Sequence, residues 1–343
     1  MTKKRSLTLA LVLLAAGLLA FVGAGATTAA TGSKSSTFKV CLVTDIGGLN
    51  DKSFNHLAFV GLTRAKTQLK AQILVEQSKS AADYIPNLST CARKGYSLTI
   101  GVGFLMADAM DTVASKFPKS KFAIVDVDVL SMKHKPKNVQ GLLFKEQEAG
   151  YAVGYLAGLW VKAHPSGGEQ TVGSVGGIKI PPVDRYIAGY IAGAKKANPA
   201  VKTLNAYSQD FVDQAKCKEA ALNQIANGAS VIFQVAGQCG LGALDAAKEK
   251  GVFGIGVDAD QGYLGSHVLT SALKKVDVAV FAAAKAAQSG GLKTGINAVF
   301  SAKNGGVGIG KTSPKVPASM VKATKAILAQ LAAGKIVPPQ TVP

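Results

Sequence analysis

The chain has 343 residues, of which 48% are hydrophobic and 17% charged, and its formal net charge is +19. That length exceeds what one core supports and predicts two lobes, and the composition excludes a disordered chain. The 39 lysines and arginines are scattered and only 6% of residues are aromatic. The charge therefore reads as a solvated basic surface, with no nucleic acid as partner.

Residues 1–26 read as a secretory signal peptide. Lys3, Lys4 and Arg5 precede an apolar run from Leu7 to Val22, and the small residues Ala24 and Ala26 predict cleavage after Ala26. An uncleaved membrane anchor is the alternative, because the run with its Gly and Ala tail approaches the ~20 residues of a span. Residues 27–37 read as a flexible tether. No later stretch is apolar for long enough to span a bilayer, which predicts a periplasmic or secreted mature protein.

From residue 38 onward, β-rich runs alternate with helical spacing. "FKVCLVT" predicts a strand, and Phe54, Leu57, Ala58, Leu62, Ala65 and Leu69 recur as on one helix face, with Asn50 or Asp51 suited to cap it. "AQILVE", "SLTIGVG" and "KFAIVDV" predict further strands with helices between them. A second series follows, with strands "TVGSVGG", "VKTLNAYS", "SVIFQVAG" and "VFGIGVD". Such alternation predicts an α/β fold of two doubly wound, Rossmann-like lobes. The last elements, from "HVLTSAL" through "GINAVFSAKNGGVGIG", are expected to cross between lobes as a multi-strand hinge. The predicted first lobe is 38–140 plus about 265–295, and the second is 141–264 plus about 296–343.

All four cysteines lie in the exported part, and an even number there predicts disulfides. In the predicted topology Cys41 and Cys91 fall at one sheet edge, Cys217 and Cys239 at the other. One bridge per lobe is expected, Cys41–Cys91 and Cys217–Cys239. No C-x-x-C pair occurs, and the four histidines lack metal spacing, so neither metal nor cofactor is expected. No G-x-S-x-G or Walker pattern is present.

What recurs is a polar residue just past a strand. Asp45, Asp108, Asp126, Asp128, Gly237, Gln238, Asp258 and Asp260 all fall at carboxyl ends, where open α/β sheets bind ligands. For any one of them a helix cap or loop acid is the simpler reading. Together they predict a site for a ligand rich in hydroxyl or amine donors, since carboxylates only accept. Sugars and nucleosides are such ligands, and Phe54 and Phe211 could hold a flat base by its faces, core packing being their other role.

"LVTDIGGLNDKSFNHLAFVGL" resembles the opening motif of the basic membrane protein family, the nucleoside-binding components of ABC importers. The likeness continues through "VGFLMADAM", "FAIVD", "EAGYAVGYLAG", "GASVIFQVAGQCGLG", "IGVDADQ" and "LTSALKKVDVAV". The resemblance implies a type I periplasmic-binding fold that captures a purine nucleoside and passes it to a membrane permease. It implies a monomer and not an enzyme. Carried over by motif, Asp45 would bond the base edge, Phe54 and Phe211 would sandwich the ring, and Gly237 would admit the ligand to the backbone. Asp258 or Asp260 would take the ribose hydroxyls, Lys274 would donate to the sugar, and Asp108 or Asp128 would complete the first lobe's share. Asn50 stands where the family usually has Asp. Family members are typically lipoproteins, yet this leader has no cysteine near its cleavage region. A binding protein for a sugar or other small polar ligand, or a secreted nucleoside hydrolase using two cleft acids, is the alternative.

Overall fold

The computed structural model describes residues 37–166 and 169–343. The expected signal peptide and all but the last residue of the tether lie outside the described residues. In chain order the first elements are β1 (Lys39–Val43), α1 (Phe54–Gln68), β2 (Gln72–Glu76), α2 (Tyr84–Arg93), β3 (Leu98–Val102), α3 (Ala107–Lys116), β4 (Phe122–Val125) and β5 (Val139–Phe144). They are followed by α4 (Glu146–Ala163), β6 (Thr171–Gly176), α5 (Pro181–Ala197), β7 (Lys202–Tyr207), α6 (Gln214–Ala226), β8 (Ala229–Val235), α7 (Gly240–Glu249), β9 (Phe253–Asp258) and β10 (Val268–Lys274). The chain closes with α8 (Val276–Gln288), β11 (Asn297–Phe300), β12 (Val307–Ile309) and α9 (Ala318–Ala332).

The strands form two six-stranded sheets, ordered β11-β5-β4-β3-β1-β2 and β12-β10-β9-β8-β6-β7. The two orders match strand for strand, so each lobe repeats the other. β12 runs antiparallel to β10, whereas β11, its counterpart, runs parallel to β5.

Strand alternation distributes side chains to both faces. On β1, Val40 and Leu42 join Ala58 and Leu62 of α1 and Val280 and Ala284 of α8 in one cluster. Cys41 and Val43 point the other way, to Leu88 of α2 and Met110 of α3. Both faces are covered, which is why "KVCLV" is apolar throughout. In the second lobe α4 and α5 cover one face, and α6 and α7 the other. The disulfides Cys41–Cys91 and Cys217–Cys239 lie in these cores, with Cα separations of 5.9 and 5.5 Å.

Helices α4 and α5 approach closely because each shows the other glycine. A Cβ on Gly150, Gly154 or Gly158 would strike the α5 backbone at Tyr186, Tyr190 or Ala194, and one on Gly189 or Gly193 would strike α4 at Gln147 or Tyr151. The "EAGYAVGYLAG" repeat is thus a packing device that locks the helices of the second lobe.

Three connections join the sheets: β5 to α4, β10 to α8, and β11 to β12. They are knit by Lys145 N–H donating to Phe300 O and Lys275 N–H donating to Gly306 O, both at 2.9 Å. The lobe limits expected from the sequence need correction here. Val268–Lys274 pairs in the second sheet and not with the first lobe, and Asn297–Phe300 pairs in the first. The first crossing falls after Phe144, because β5 still pairs in the first sheet.

Candidate functional site

The carboxyl ends of both sheets open on one cleft, and the lobes meet across it. Ser53 Oγ, in the first lobe, bonds Val257 O and Asp258 Oδ2 in the second, both at 3.0 Å. Between them lies a cavity with about 600 Å³ of empty space, open solvent at its mouth included. Asp45, Phe54, Asp126, Phe211, Gly237, Asp258 and Lys274 line it, with apolar side chains such as Leu105, Ile180 and Val183 around them. A mostly apolar wall with a few convergent polar groups is the usual make-up of a small-molecule site.

Asp45 follows β1 and is held by its own loop. Asn55 Nδ2 donates to Asp45 Oδ1 at 2.8 Å, and Gly47 N–H donates to the same oxygen at 2.9 Å. Burial pushes the Asp45 carboxyl up to about 6, against those two hydrogen bonds. A Cβ on Gly103 would meet Asp45 Oδ2 at 2.7 Å, and Gly103 has φ +113°, so only glycine lets this acid stand beside Phe54.

Asp51, rather than Asn50, starts α1. Its carboxylate accepts from the backbone N–H of Ser53, Asn55 and His56 at 3.0, 2.7 and 3.0 Å, and it is buried. Asn50 is exposed on the loop and does not line the cavity. The Asn-for-Asp departure from the family pattern therefore falls outside the site.

Lys274, at the end of β10, is 2% exposed and sits in a cage of acids and rings. Its Nζ is 2.6 Å from Asp126 Oδ2 and 2.9 Å from Glu146 Oε1, and Arg185 Nε is 2.6 Å from Glu146 Oε2. The Phe54 and Phe144 ring centroids are each 5.0 Å from the same ammonium. Burial works to lower the Lys274 pKa, but Asp126, Glu146 and Asp258 outweigh it and raise the value. Burial likewise favours protonating Glu146, yet Lys274 and Arg185 hold its carboxyl below the ordinary range. Burial pushes Asp126 and Asp258 up to about 6, each opposed by Lys274.

Asp126 and Asp258 occupy equivalent places, one past β4 and the other closing β9. Both take left-handed backbone, φ 69° and 59°. Aspartate tolerates that region better than most residues, and here the turn carries each carboxylate off the strand line into the cleft. Asp258 accepts from Tyr186 OH at 3.2 Å as well as from Ser53. Asp126 Oδ1 has no hydrogen-bond partner among the described residues.

Phe211 lies in the loop between β7 and α6, so it is not the counterpart of Phe54, which opens α1. Cys239 N–H donates to Phe211 O at 3.0 Å, so the Cys217–Cys239 bridge steadies the loop that carries the ring. The ring rests on Gly177, where any Cβ would collide with it.

Three further candidates stand away from the cavity. Asp108 is exposed in the first turn of α3, where an acid complements the helix dipole. Asp128 is exposed and accepts from Asn297 Nδ2 at 2.6 Å, tying the β4–β5 connection to β11. Asp260 accepts from Gly262 N–H and Lys311 N–H at 3.2 and 3.1 Å, bracing a turn. For Asp128, which also accepts from Leu130 N–H at 2.9 Å, and for Asp260, the local backbone uses the carboxylate. Sequence reasoning missed Asn55, Glu146, Arg185 and Tyr186; among them only Glu146, beginning a helix straight after a strand, left a signal.

Among the described residues no group of three or more His, Cys, Asp or Glu is arranged to hold a metal. No helix among them is long and apolar enough to cross a membrane.

Comparison with known proteins places this architecture among the type I binding proteins of ABC systems. The fold is similar to that of an ABC transporter solute-binding protein from Aeropyrum pernix, with TM-score 0.79, 28% identity and coverage of 88% of this chain and 94% of that one. Residues 38–339 match the Bmp family, described as ABC transporter substrate-binding protein PnrA-like, and the chain belongs to that family. It is 33% identical over 331 residues to the ABC transporter nucleoside-binding protein BmpA of Lactococcus lactis, covering 90% of this chain and 92% of the relative. It is 36% identical over 315 residues to an uncharacterised lipoprotein of Pyrococcus horikoshii, covering 88% and 76%. The protein is thus a substrate-binding protein of an ABC transporter, of an extracytoplasmic family that serves a membrane permease.

Proposed function

We propose that the cleft captures a purine nucleoside for import, and that the protein binds without transforming it. The observation that carries this reading is the joint lining of one cavity by Phe54 and Phe211, from different lobes, and by the buried carboxylates Asp45, Asp126 and Asp258 with Lys274. Phe54 and Phe211 supply faces for a planar base, and Asp45 supplies an acceptor for its N–H edge. Asp126, Asp258 and Lys274 supply acceptors and a charge for sugar hydroxyls; Asp126 takes the first-lobe place expected of Asp108 or Asp128. Gly237, with φ +55°, lets the ligand approach the main chain. The name of the Lactococcus relative agrees with this choice of ligand. Ligand bridging both lobes then stabilises the closed form.

Mass spectrometry of small molecules released on denaturation, with calorimetry against nucleosides, free bases and sugars, tests the reading. A purine nucleoside is expected to bind far more tightly than its base or ribose. Binding of no nucleoside tighter than about millimolar, against the roughly −4 kcal/mol that this represents, overturns it.

A further inference from the structure

The cage around Lys274 contains one acid that the cleft itself does not use. Glu146 is 0% exposed and does not line the cavity, so a bound molecule is not its partner. It opens α4 directly after the β5 crossing, and Lys274 closes β10 directly before the crossing to α8. Two of the three connections between lobes are therefore stapled by this ion pair at 2.9 Å. Arg185, on α5, holds the far oxygen of Glu146 at 2.6 Å.

These three residues belong together mechanically. Helix α4 is locked to α5 through their facing glycines, and β10 lies in the sheet those helices cover. Asp126 and Phe54 come from the other lobe. When the lobes part, Lys274 loses Asp126 but retains Glu146.

We propose that Glu146, braced by Arg185, is a positioning residue for Lys274, holding its ammonium at the cleft on the second lobe's side independently of Asp126. Without Glu146 the open cleft would leave the lysine beside Tyr186 with Asp258, which makes no ion pair with it, as the second lobe's one neighbouring carboxylate, a place where an amine sheds its proton more readily or turns away. With Glu146 the charge is already in place when Asp126 and a ligand arrive, and closure needs no rearrangement. The other ionisable groups facing Lys274 are Asp126 after β4, Asp258 at the end of β9, and Tyr186 with Arg185 on α5; Asp45 and Asp51 line the same cavity.

The role in ligand capture rests on the nucleoside reading, and the experiment keeps the two apart. Affinity for adenosine, whose base does not titrate in this range, is measured by calorimetry from about pH 7 to about pH 10 for the full chain and for Glu146→Gln, Glu146→Asp and Arg185→Met. The native protein is expected to bind evenly over this range, because the acids around Lys274 keep it protonated. Glu146→Gln should bind about tenfold more weakly at pH 7 and lose a further tenfold towards pH 10, as Lys274 gives up its proton within the range. Glu146→Asp should restore part of the loss, and Arg185→Met should show the same slope more weakly. A Glu146→Gln profile parallel to the native one overturns the proposal, because a packing defect alone lowers affinity equally at every pH.

The ligand-free titration of Lys274, followed by NMR of ¹³Cε-labelled lysine, decides the matter without a nucleoside. A lower midpoint in Glu146→Gln supports the positioning role even if adenosine fails to bind and the nucleoside reading falls. An unchanged midpoint overturns it. If Glu146→Gln does not fold, the Arg185→Met midpoint is read by the same criterion.

Discussion

Lys274 and Asp126 meet across the cleft at 2.6 Å, from strand ends that belong to different sheets. Each is nearly sealed from solvent, so removing the lysine leaves buried acids without their cation. Lys274→Met should therefore cost more than its lost contact. It leaves Asp126 and Glu146 buried without their cation, and a loss of about 3–5 kcal/mol is expected in urea unfolding. Calorimetry on the same variant should show ligand binding reduced beyond detection.

The two rings can be weighed separately. Phe54→Ala and Phe211→Ala should each weaken guanosine binding by about 1–3 kcal/mol, the usual worth of stacking a base on an aromatic side chain. Ribose binding, if measurable, should change much less. Equal losses for guanosine and ribose would show that the rings only shape the cavity.

Acidity should act in opposite directions on stability and on binding. Asp45, Asp126 and Asp258 are raised from 3.8 to about 6, mainly by burial. Between about pH 4 and pH 6 the folded chain then holds more protons than the unfolded one, so these groups favour folding more as pH falls through that window. Glu146, held low by Lys274 and Arg185, opposes the trend only at more acidic pH. Scanning calorimetry of the ligand-free protein should thus give a higher Tm near pH 5 than near pH 7.5. Nucleoside affinity should fall over the same interval, because protonated carboxyls lose acceptor strength for ligand N–H and O–H groups.

Gly154→Val tests the helix lock in the second lobe. A side chain there must displace the α5 backbone at Tyr190, and over-packing of this kind costs about 1–3 kcal/mol or more. The urea midpoint should drop accordingly. Gly308→Val, where a Cβ meets nothing within 4 Å, is the matched control and should change little.

The disulfides should contribute unequally. Cys41–Cys91 spans 50 residues and Cys217–Cys239 spans 22. By chain entropy, the paired Ser substitutions should cost about 4 and about 3 kcal/mol respectively. Only the second pair should also weaken ligand binding, since it steadies the loop of Phe211.

Unbroken apolar strands alternating with period-3.6 helices make the doubly wound lobes legible in the sequence, because both sheet faces are covered. The crossings were harder to place. Nothing in "HVLTSAL" tells which sheet it joins; that is settled by pairing with β9, a long-range choice. At the site, Asp45 and Asp258 are readable as polar residues where buried strands stop, whereas Lys274 follows only from the family resemblance. Asn50 and Asp51 are adjacent in an irregular loop, where no periodicity separates a buried cap from an exposed neighbour. Asp126 and Asp128 share a strand parity, and only the left-handed turn at Asp126 separates them. Glu146 left only the signal of an acid opening a helix straight after a strand, which does not distinguish it from an acid that merely complements the helix dipole.

That same turn restricts how this cleft can be retuned. At Asp126 and Asp258 the main chain favours Asp, Asn or Gly and resists β-branched residues, which strain at positive φ. Ligand preference can therefore drift only narrowly at the two acids. The freedom to redesign lies with rim positions such as Leu105, Ile180 and Gln238, which line the cavity on ordinary backbone.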